Sequence, residues 1–262
     1  MRPLDRVVET SELSRRYGAF TAVDRVSLFV KAGEIFGLIG PNGAGKSTLI
    51  KMLTTMLPPS SGHGTVAGFD IAKHPAEVRK RIGYVPQLLS ADRELTGYEN
   101  LLLSARLYLI PRAERAAKIE AALAMMGLGE VRDRLARDYS GGMLRRLEIA
   151  QSTMHHPLVL FLDEPTVGLD PDGRNTVWHH VRELREQTGA AIVLTTHYMD
   201  EAEELCDRVA LLNASRLAAI GTSAELCAQI GPGATLDDVF VSLTGQEIPK
   251  GEQDAHRRSL KH

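Results

Sequence analysis

The chain has 262 residues, of which 44% are hydrophobic and 24% charged, a composition ordinary for a soluble globular protein. Its formal net charge of −2 lacks the basic surplus of nucleic-acid-binding proteins, so no nucleic-acid partner is expected. This length suits one large core with an inserted subdomain better than two separate domains.

The cysteines and the apolar runs argue against an extracellular or membrane-spanning protein. Cys206 and Cys227 lie outside any metal-binding spacing, which favours free thiols in a reducing compartment. Residues 1–18, MRPLDRVVETSELSRRYG, lack the apolar centre of a signal peptide. Apolar runs such as 158–162 are far shorter than the roughly 18 residues of a spanning helix. We therefore expect that the chain does not cross a membrane by itself.

Short apolar segments alternate with turns in the first third of the chain. The alternation over 26–30 predicts a half-covered strand, and EIFGLIG (34–40) predicts a buried strand that ends in glycine. Apolar residues then recur at helical spacing over 49–56, so a helix is predicted up to the two prolines that follow. GTVAGFD (64–70) and RIGYVPQ (81–87) predict short strands.

The character of the sequence changes between about residues 88 and 138, with a segment rich in Ala, Arg and Glu. Within it, PRAERAAKIEAALAMMGL (111–128) places Ile119, Leu123 and Met126 on one helical face. We predict a helical insert here.

Strands and helices alternate again after this insert. Apolar runs at 158–164, 190–197 and 208–214 predict buried strands, with amphipathic helices between them. This alternation indicates an α/β protein with a largely parallel sheet. Residues 216–245 are predicted to form short strands and a helix, and the polar residues 246–262 to be disordered.

The segment GPNGAGKST has the sequence of a phosphate-binding loop between a strand and a helix. Its glycines would let backbone amides approach phosphate oxygens, Lys46 would bring a catalytic positive charge to the β- and γ-phosphates, and the Ser47 hydroxyl would bind Mg²⁺. The alternative is a glycine-rich turn without function, which both flanking elements disfavour. The predicted nucleotide-binding residues are Gly40, Pro41, Asn42, Gly43, Ala44, Gly45, Lys46, Ser47 and Thr48.

Three polar side chains follow two of the predicted strands. Asp163 and Glu164 end one apolar run, and His197 ends another. Because ligands bind at the carboxyl ends of parallel strands, we expect these side chains near the phosphate loop. We predict that Asp163 binds Mg²⁺, that Glu164 polarises the attacking water and that His197 contacts the γ-phosphate or that water. Taken singly, an acidic turn and an exposed histidine are the alternatives.

A second glycine-rich helix start lies in YSGGMLRRLEIA (139–150). Its bare backbone amides would also suit an anion. The phosphate loop already provides such a site, so a single chain gives this second one no obvious purpose.

In this order the motifs resemble one family over about residues 4–245, the ATP-binding subunits of ATP-binding cassette (ABC) transporters. Besides the phosphate loop, the matching positions are Gln87 for the Q-loop, Ser140, Gly141 and Gly142 for the signature motif, Asp163 and Glu164 for Walker B, Gly168, Leu169 and Asp170 for the D-loop, and His197 for the switch histidine. Tyr17 stands where the family stacks an aromatic ring on adenine.

The resemblance implies a fold, a P-loop ABC ATPase core of α/β class with an antiparallel β subdomain, a helical insert and a short C-terminal extension. It implies an ATP-binding domain at 4–245, a helical subdomain at about 88–142 within it, and an extension at about 216–245. Residues 246–262 would remain as a tail.

The resemblance also implies the cofactors and partners. Mg-ATP would lie between one chain's phosphate loop and the signature of a second chain, in a head-to-tail homodimer or a heterodimer with a related cassette. Ser140, Gly141, Gly142 and Asp170 would then contact the partner's nucleotide, which gives the second helix start a purpose. Gln87 would connect Mg²⁺ with a separate integral membrane permease. The chain would be peripheral at the cytoplasmic face of the cell membrane and soluble when expressed alone.

The signature departs from the commonest form, Leu-Ser-Gly-Gly-Gln, at Tyr139 and Met143. YSGGM, the Arg145-Arg146 pair and TLDDVFVSLTG (235–245) resemble the branch of daunorubicin-resistance-type drug exporters and related lipid and polysaccharide exporters. Export of such a molecule is therefore expected.

Other interpretations fit less well. A soluble ABC ATPase of translation or DNA maintenance normally has two cassettes or a long coiled-coil insertion, and this sequence has neither. A regulatory module without turnover would not need Glu164 and His197. A GTPase would carry an Asn/Thr-Lys-x-Asp guanine motif, and no lysine here lies in one.

Overall fold

The computed structural model describes residues 4–245, so the tail predicted at 246–262 lies outside the described residues. The strands are β1 (Arg6–Tyr17), β2 (Phe20–Lys31), β3 (Ile35–Ile39), β4 (Ser61–Val66), β5 (Phe69–Asp70), β6 (Ile82–Val85), β7 (Val159–Asp163), β8 (Ala191–Thr196), β9 (Arg208–Asn213) and β10 (Arg216–Gly221). The α-helices are α1 (Lys46–Leu53), α2 (Pro75–Arg79), α3 (Gly97–Leu107), α4 (Arg112–Met125), α5 (Gly141–Thr153), α6 (Pro171–Thr188), α7 (Met199–Leu205), α8 (Ser223–Ala228) and α9 (Leu236–Thr244). Within the described residues, 3₁₀ turns lie at Gly129–Val131 and Ala136–Asp138.

The strands form two sheets. The larger has the order β10-β9-β3-β8-β7-β6, in which only the edge strand β10 is antiparallel to its neighbour. The smaller has the order β2-β1-β4-β5 and is antiparallel throughout. The predicted α/β fold with an antiparallel β portion is confirmed.

The three central strands of the larger sheet are covered on both faces. Every residue of β3, β7 and β8 is buried, which accounts for their uninterrupted apolar sequences. Phe36 and Phe161 pack on the side of α1, while Leu160 and Leu194 pack on the side of α5 and α6. Because both faces of the sheet are packed, the positions of the strand ends and of the loops that follow them are fixed.

Strand β1 has no counterpart among the predicted elements, and β2 is longer than the alternation over 26–30 indicates. The pairing of β1 with β2 and β4 shifts register several times. Glu12 and Arg25 take left-handed backbone angles there, with φ of 49° in each. Such bulges interrupt the period of two, so the hydrophobic pattern reveals only one short regular stretch.

Helix α1 ends at Leu53, earlier than the predicted end near residue 56. Thr55 adopts a left-handed φ of 63°, its amide donates to the Met52 carbonyl at 3.0 Å, and the Met56 amide donates to the Lys51 carbonyl at 2.9 Å. These paired bonds close the helix end in a Schellman motif. Met56 consequently lies 61% exposed instead of continuing the apolar face.

The insert is helical as predicted, and the apolar face formed by Ile119, Leu123 and Met126 is completely buried. The segment 216–245 differs from its prediction, because it contains one strand and two helices. Thr222 and Thr235 begin these helices with capping boxes, a local signal that the apolar pattern does not contain.

The helices of residues 4–245 bear on whether the chain could cross a membrane. None of them combines the length and the apolar character needed to cross a bilayer.

Candidate functional site

Loops from three adjacent parallel strands meet at one edge of the larger sheet. Strand β3 leads into the phosphate loop, β7 ends at Asp163, and β8 ends just before His197. Ser47 Oγ donates to Asp163 Oδ1 at 3.0 Å, and Lys46 Nζ lies 3.5 Å from Glu164 Oε1. The structure thus brings together the side chains that the sequence predicts for phosphate, metal and water.

The phosphate loop has a backbone path that side chains would obstruct. Gly45 precedes α1 with φ of 103°, and a Cβ atom on it would stand 2.3 Å from the Ala22 carbonyl oxygen. A Cβ on Gly40 would stand 2.2 Å from the Leu212 carbonyl oxygen. Glycine at both positions therefore lets the loop turn tightly and begin α1 with its amide groups available.

Lys46 is a buried cation held by oxygen atoms. Its ammonium donates to the carbonyl oxygens of Gly40 and Pro41, at 2.7 and 3.1 Å, and lies beside the Glu164 carboxylate. Burial lowers the pKa of Lys46, while the charges of Glu164 and Asp163 oppose this shift. The site therefore holds a positive charge that is only partly hydrated.

Asp163 has one oxygen with two hydroxyl donors. Besides Ser47, the Thr195 hydroxyl donates to Asp163 Oδ1, at 2.6 Å. Thr195 also accepts a hydrogen bond from the Glu164 backbone amide, at 2.8 Å. The carboxylate is consequently fixed from the phosphate loop and from β8.

Glu164 stands at the centre of the site with a left-handed φ of 48°. Gln87 Nε2 donates to its Oε2 at 3.3 Å, and His197 Nδ1 lies 3.4 Å from its Oε1. Burial alone would raise the pKa of Glu164, but His197 and Lys46 outweigh this and hold the pKa below the ordinary value of 4.5. The carboxylate is therefore ionised at neutral pH.

A cavity of about 390 Å³ opens above these groups. It is lined by Phe20, Ala22, Asn42, Gly43, Ala44, Gly45, Lys46, Ser47, Thr48, Gln87 and Glu164. Gly40 and Pro41 are not among the lining residues, but their carbonyl oxygens accept hydrogen bonds from Lys46.

Phe20 is a lining residue that the sequence interpretation missed. It is 61% exposed and pairs with Tyr17 across the turn between β1 and β2. Tyr17, the predicted stacking residue, is not among the cavity-lining side chains, and the Arg15 guanidinium lies 4.6 Å from its ring centre. An aromatic residue immediately after the Gly18-Ala19 turn was the available signal.

The oxygen-rich groups suit a magnesium ion. A hydroxyl and a carboxylate converge at Ser47 and Asp163, with the Gln87 amide close to the neighbouring carboxylate. In the described part of the chain, no three His, Cys, Asp or Glu side chains form a metal-binding group. Mg²⁺ does not need such a group, because it is usually held by one or two carboxylates together with substrate phosphates and water.

The signature and D-loop residues lie outside this cavity. Ser140 caps α5 by accepting a hydrogen bond from the Met143 amide at 3.3 Å, and Asp170 caps α6 by accepting one from the Gly173 amide at 2.8 Å. A Cβ on Gly142 would stand 3.5 Å from Gly173 Cα, so the two helix starts adjoin each other. Within one chain, the structure does not bring the residues Ser140, Gly141, Gly142 and Asp170 to the phosphate loop.

Arg145 links α5 to the Gln87 loop, a connection that the sequence interpretation did not identify. Its guanidinium donates to the carbonyl oxygens of Pro86 and Gln87, at 2.7 and 2.8 Å, and pairs with Glu148 at 2.9 Å. The other Glu148 oxygen accepts from the Ser90 amide and hydroxyl. The available signal was an Arg and a Glu three residues apart on the mainly apolar buried face of a helix.

Glu201 is another buried carboxyl group that was not predicted. Its Oε1 accepts hydrogen bonds from Thr166 Oγ1 at 2.7 Å and from Trp178 Nε1 at 2.8 Å. Burial raises the pKa of Glu201. This side chain ties α7 both to α6 and to the segment that follows β7.

Comparison with known proteins gives one consistent result. The family model described as ABC transporter matches residues 23–167. The daunorubicin/doxorubicin resistance ATP-binding protein DrrA of Streptomyces peucetius is 49% identical over 229 residues, which cover 86% of this chain and 68% of that protein. The linearmycin resistance ATP-binding protein LnrL of Bacillus subtilis is 40% identical over 236 residues, covering 90% of this chain and 75% of LnrL.

Solved structures agree with these relatives. One described as the ATP binding subunit of an ABC transporter superposes with a TM-score of 0.80 at 32% identity, covering 91% of this chain and 99% of that chain. The cbiO1 protein of Clostridium perfringens, part of the ABC transporter complex cbiONQ, gives a TM-score of 0.79 at 26% identity, covering 98% of this chain and 100% of cbiO1.

The two aromatic residues that flank the turn between β1 and β2 give a test of base binding. Tyr17→Ala and Phe20→Ala should each weaken ATP binding about fivefold, because an aromatic contact contributes on the order of 1 kcal/mol. Equilibrium dialysis with labelled ATP measures the affinity. Tyr108→Ala, which removes a partly exposed aromatic ring outside the cavity, is the control and should leave the affinity unchanged. Unchanged affinity in Tyr17→Ala would refute stacking by Tyr17, and a loss in Phe20→Ala alone would transfer that role to Phe20.

Proposed function

The chain belongs to the ATP-binding subunits of ABC transporters, and from this we propose that it is the motor subunit of an exporter. In this proposal Mg-ATP binding closes a head-to-tail dimer, and hydrolysis drives export of a drug, lipid or polysaccharide through a separate membrane permease. The observation that carries the proposal is the convergence of Lys46, Ser47, Asp163 and Glu164 at one sheet edge, within hydrogen-bonding or ion-pair distance.

Phosphate binding follows from the loop and its lysine. The amides at the start of α1 and the Lys46 ammonium would bind the β- and γ-phosphates. Ser47, Asp163 and Gln87 would hold Mg²⁺, which when bound neutralises charge on the phosphate oxygens. Because Lys46 is buried, its attraction for phosphate is weakened little by water.

Hydrolysis requires a water molecule in line with the γ-phosphate. Glu164 would accept a hydrogen bond from this water and take its proton as the oxygen attacks phosphorus and the bond to the bridging oxygen breaks. An ionised carboxylate can do this at neutral pH. The Gln87 amide restrains one oxygen of Glu164, and His197, beside the other, would orient the water or the γ-phosphate.

The second helix start would serve the partner's nucleotide. Ser140, Gly141, Gly142 and Asp170 form a surface away from the chain's own cavity, as a site completed between two chains requires. A homodimer of this chain, or a heterodimer with a related cassette, would contain two such composite sites.

We place the permease contact beside the Gln87 loop. A groove of about 360 Å³ runs between this loop and α3, and its lining includes Leu107, Tyr108 and Glu148. Leu88 and Leu109 are 82% and 85% exposed, so apolar side chains are available for a partner. This contact would hold the chain at the cytoplasmic face of the membrane.

The proposed boundaries follow from the same scheme. Residues 4–245 would form the ATP-binding domain, with about 88–142 as the helical subdomain facing the permease and about 216–245 as an extension.

The proposed class of transported molecule is supported by the relatives, whose names refer to resistance to daunorubicin, doxorubicin and linearmycin. A soluble ABC ATPase without a permease is the alternative.

Glu164→Gln should separate ATP binding from hydrolysis. Glutamine keeps the size and hydrogen bonds of the side chain but cannot take the proton, so turnover should fall about 100-fold or more while ATP still binds. Phosphate release measures turnover, and sedimentation should detect an ATP-dependent dimer. Glu114→Gln, at an exposed carboxylate on α4, is the matched control. Normal hydrolysis by Glu164→Gln would exclude Glu164 as the base.

Mixing two damaged chains should rebuild one intact site. Ser140→Arg blocks the signature and Lys46→Ala disables the phosphate loop, so each homodimer has a lesion at both composite sites. A heterodimer combines an intact loop with an intact signature at one site and both lesions at the other. Titrating one variant into the other should restore trapped labelled ATP in a species of dimer size. Chains that associate without trapping ATP at any ratio would contradict the role of Ser140 across the dimer.

Leu107→Glu should weaken attachment to the permease. A charge in the groove opposes apolar docking, so less chain should remain on membranes of a host expressing the cognate permease, while ATP hydrolysis by the isolated chain stays unchanged. Leu243→Glu is the matched control, since Leu243 is a 46% exposed helical leucine outside the groove. Membrane flotation and immunoblotting measure the bound fraction. Equal retention of both variants would reject this groove as the permease contact.

A further inference from the structure

Glu164 has a backbone conformation that needs external support. Its φ of 48° lies in the left-handed region, which is unfavourable for a residue with a side chain. It follows β7 directly, and the direction of its carboxylate depends on this turn. A small relaxation of the turn would therefore displace the carboxylate from Lys46 and His197.

Thr195 supplies this support with a single hydroxyl group. Its Oγ1 accepts a hydrogen bond from the Glu164 amide at 2.8 Å and donates one to Asp163 Oδ1 at 2.6 Å. Asp163 and Thr195 are also directly paired in the β7–β8 ladder. The Thr195 side chain thus forms hydrogen bonds with two consecutive site residues, Asp163 and Glu164, from the neighbouring strand.

The Thr195 hydroxyl is a polar group buried in the core of the larger sheet. Thr195 is 0% exposed and lies on β8 between β3 and β7, where Val193 and Leu194 precede it. A buried hydroxyl is costly unless it is hydrogen-bonded, and packing alone would be met by valine. The hydroxyl is therefore explained by its two partners and not by the core.

We propose that Thr195 is a positioning residue for ATP hydrolysis, whose hydroxyl holds Glu164 in its left-handed turn and aims the Asp163 carboxylate. Thr195 lies beneath the site residues and acts through them. This inference rests on the proposed roles of Glu164 and Asp163.

The test compares Thr195→Val with Thr195→Ser. Valine keeps the branched shape and loses both hydrogen bonds, so kcat should fall about tenfold or more, as for other losses of accurate positioning. The affinity for ATP without Mg²⁺, measured by equilibrium dialysis, should change less than about twofold, since the phosphate loop is untouched. Serine restores the hydroxyl and should recover kcat to within about threefold of the original chain.

A matched control addresses general effects of removing a buried threonine hydroxyl. Thr54 is also buried, and its hydroxyl donates to the Ile50 carbonyl at the end of α1. Thr54→Val should leave kcat unchanged. Circular dichroism checks the fold, and if Thr195→Val does not fold, Thr195→Ala, which fits without crowding, should show the same loss of kcat.

Several results would overturn the proposal. A folded Thr195→Val or Thr195→Ala chain with kcat within about twofold of the original would do so. So would a Thr195→Ser chain as impaired as the valine variant, because the methyl group would then matter instead of the hydroxyl. Normal turnover in Glu164→Gln would reject the site itself, whereas an inactive Glu164→Gln with an unimpaired Thr195→Val would reject only the role of Thr195.

Discussion

The burial of one positive charge determines how the site is built. The Lys46 ammonium has left water, so its charge must be balanced by oxygen atoms within the protein. The carbonyl oxygens of Gly40 and Pro41 and the carboxylate of Glu164 provide this balance. The loop must curl back on itself to present those carbonyls, and β3, β7 and β8 must lie side by side to bring the carboxylate near. The glycines and the strand order meet this requirement, and Lys46 acts together with His197 to lower the pKa of Glu164.

Sequence patterns predicted the elements whose periodicity is regular. Strands β3, β7 and β8 are uninterrupted apolar runs, and the parallel arrangement of such strands placed Asp163, Glu164 and His197 at one edge. The sequence patterns failed to predict elements in which local backbone geometry interrupts the hydrophobic period. Bulges conceal β1, and a left-handed Thr55 ends α1 early.

The contacts between distant residues were beyond the sequence for a different reason. The hydrogen bonds of Thr195, Arg145 and Glu201 join positions far apart in the chain, and no local spacing records them. Phe20 was missed because the resemblance to the family assigns base stacking to Tyr17. Sequence alone therefore predicted which groups take part in the site better than it predicted what holds them in place.

The buried pair of Arg145 and Glu148 couples the position of the Gln87 loop to that of α5. Both side chains are almost inaccessible to water, and they bind the loop around Gln87 and Ser90 to the same helix that begins at Ser140. Separating the loop from this helix would take the Pro86 and Gln87 carbonyls from Arg145 and the Ser90 donors from Glu148, and hydrogen bonds to charged groups contribute about 1.5–3 kcal/mol each. The loop and α5 should therefore move together, so that a displacement of the loop also displaces the start of α5 at Ser140. If Ser140 contacts a partner's nucleotide and the groove contacts a permease, as proposed, then thermodynamic reciprocity requires that binding at either place changes the affinity at the other.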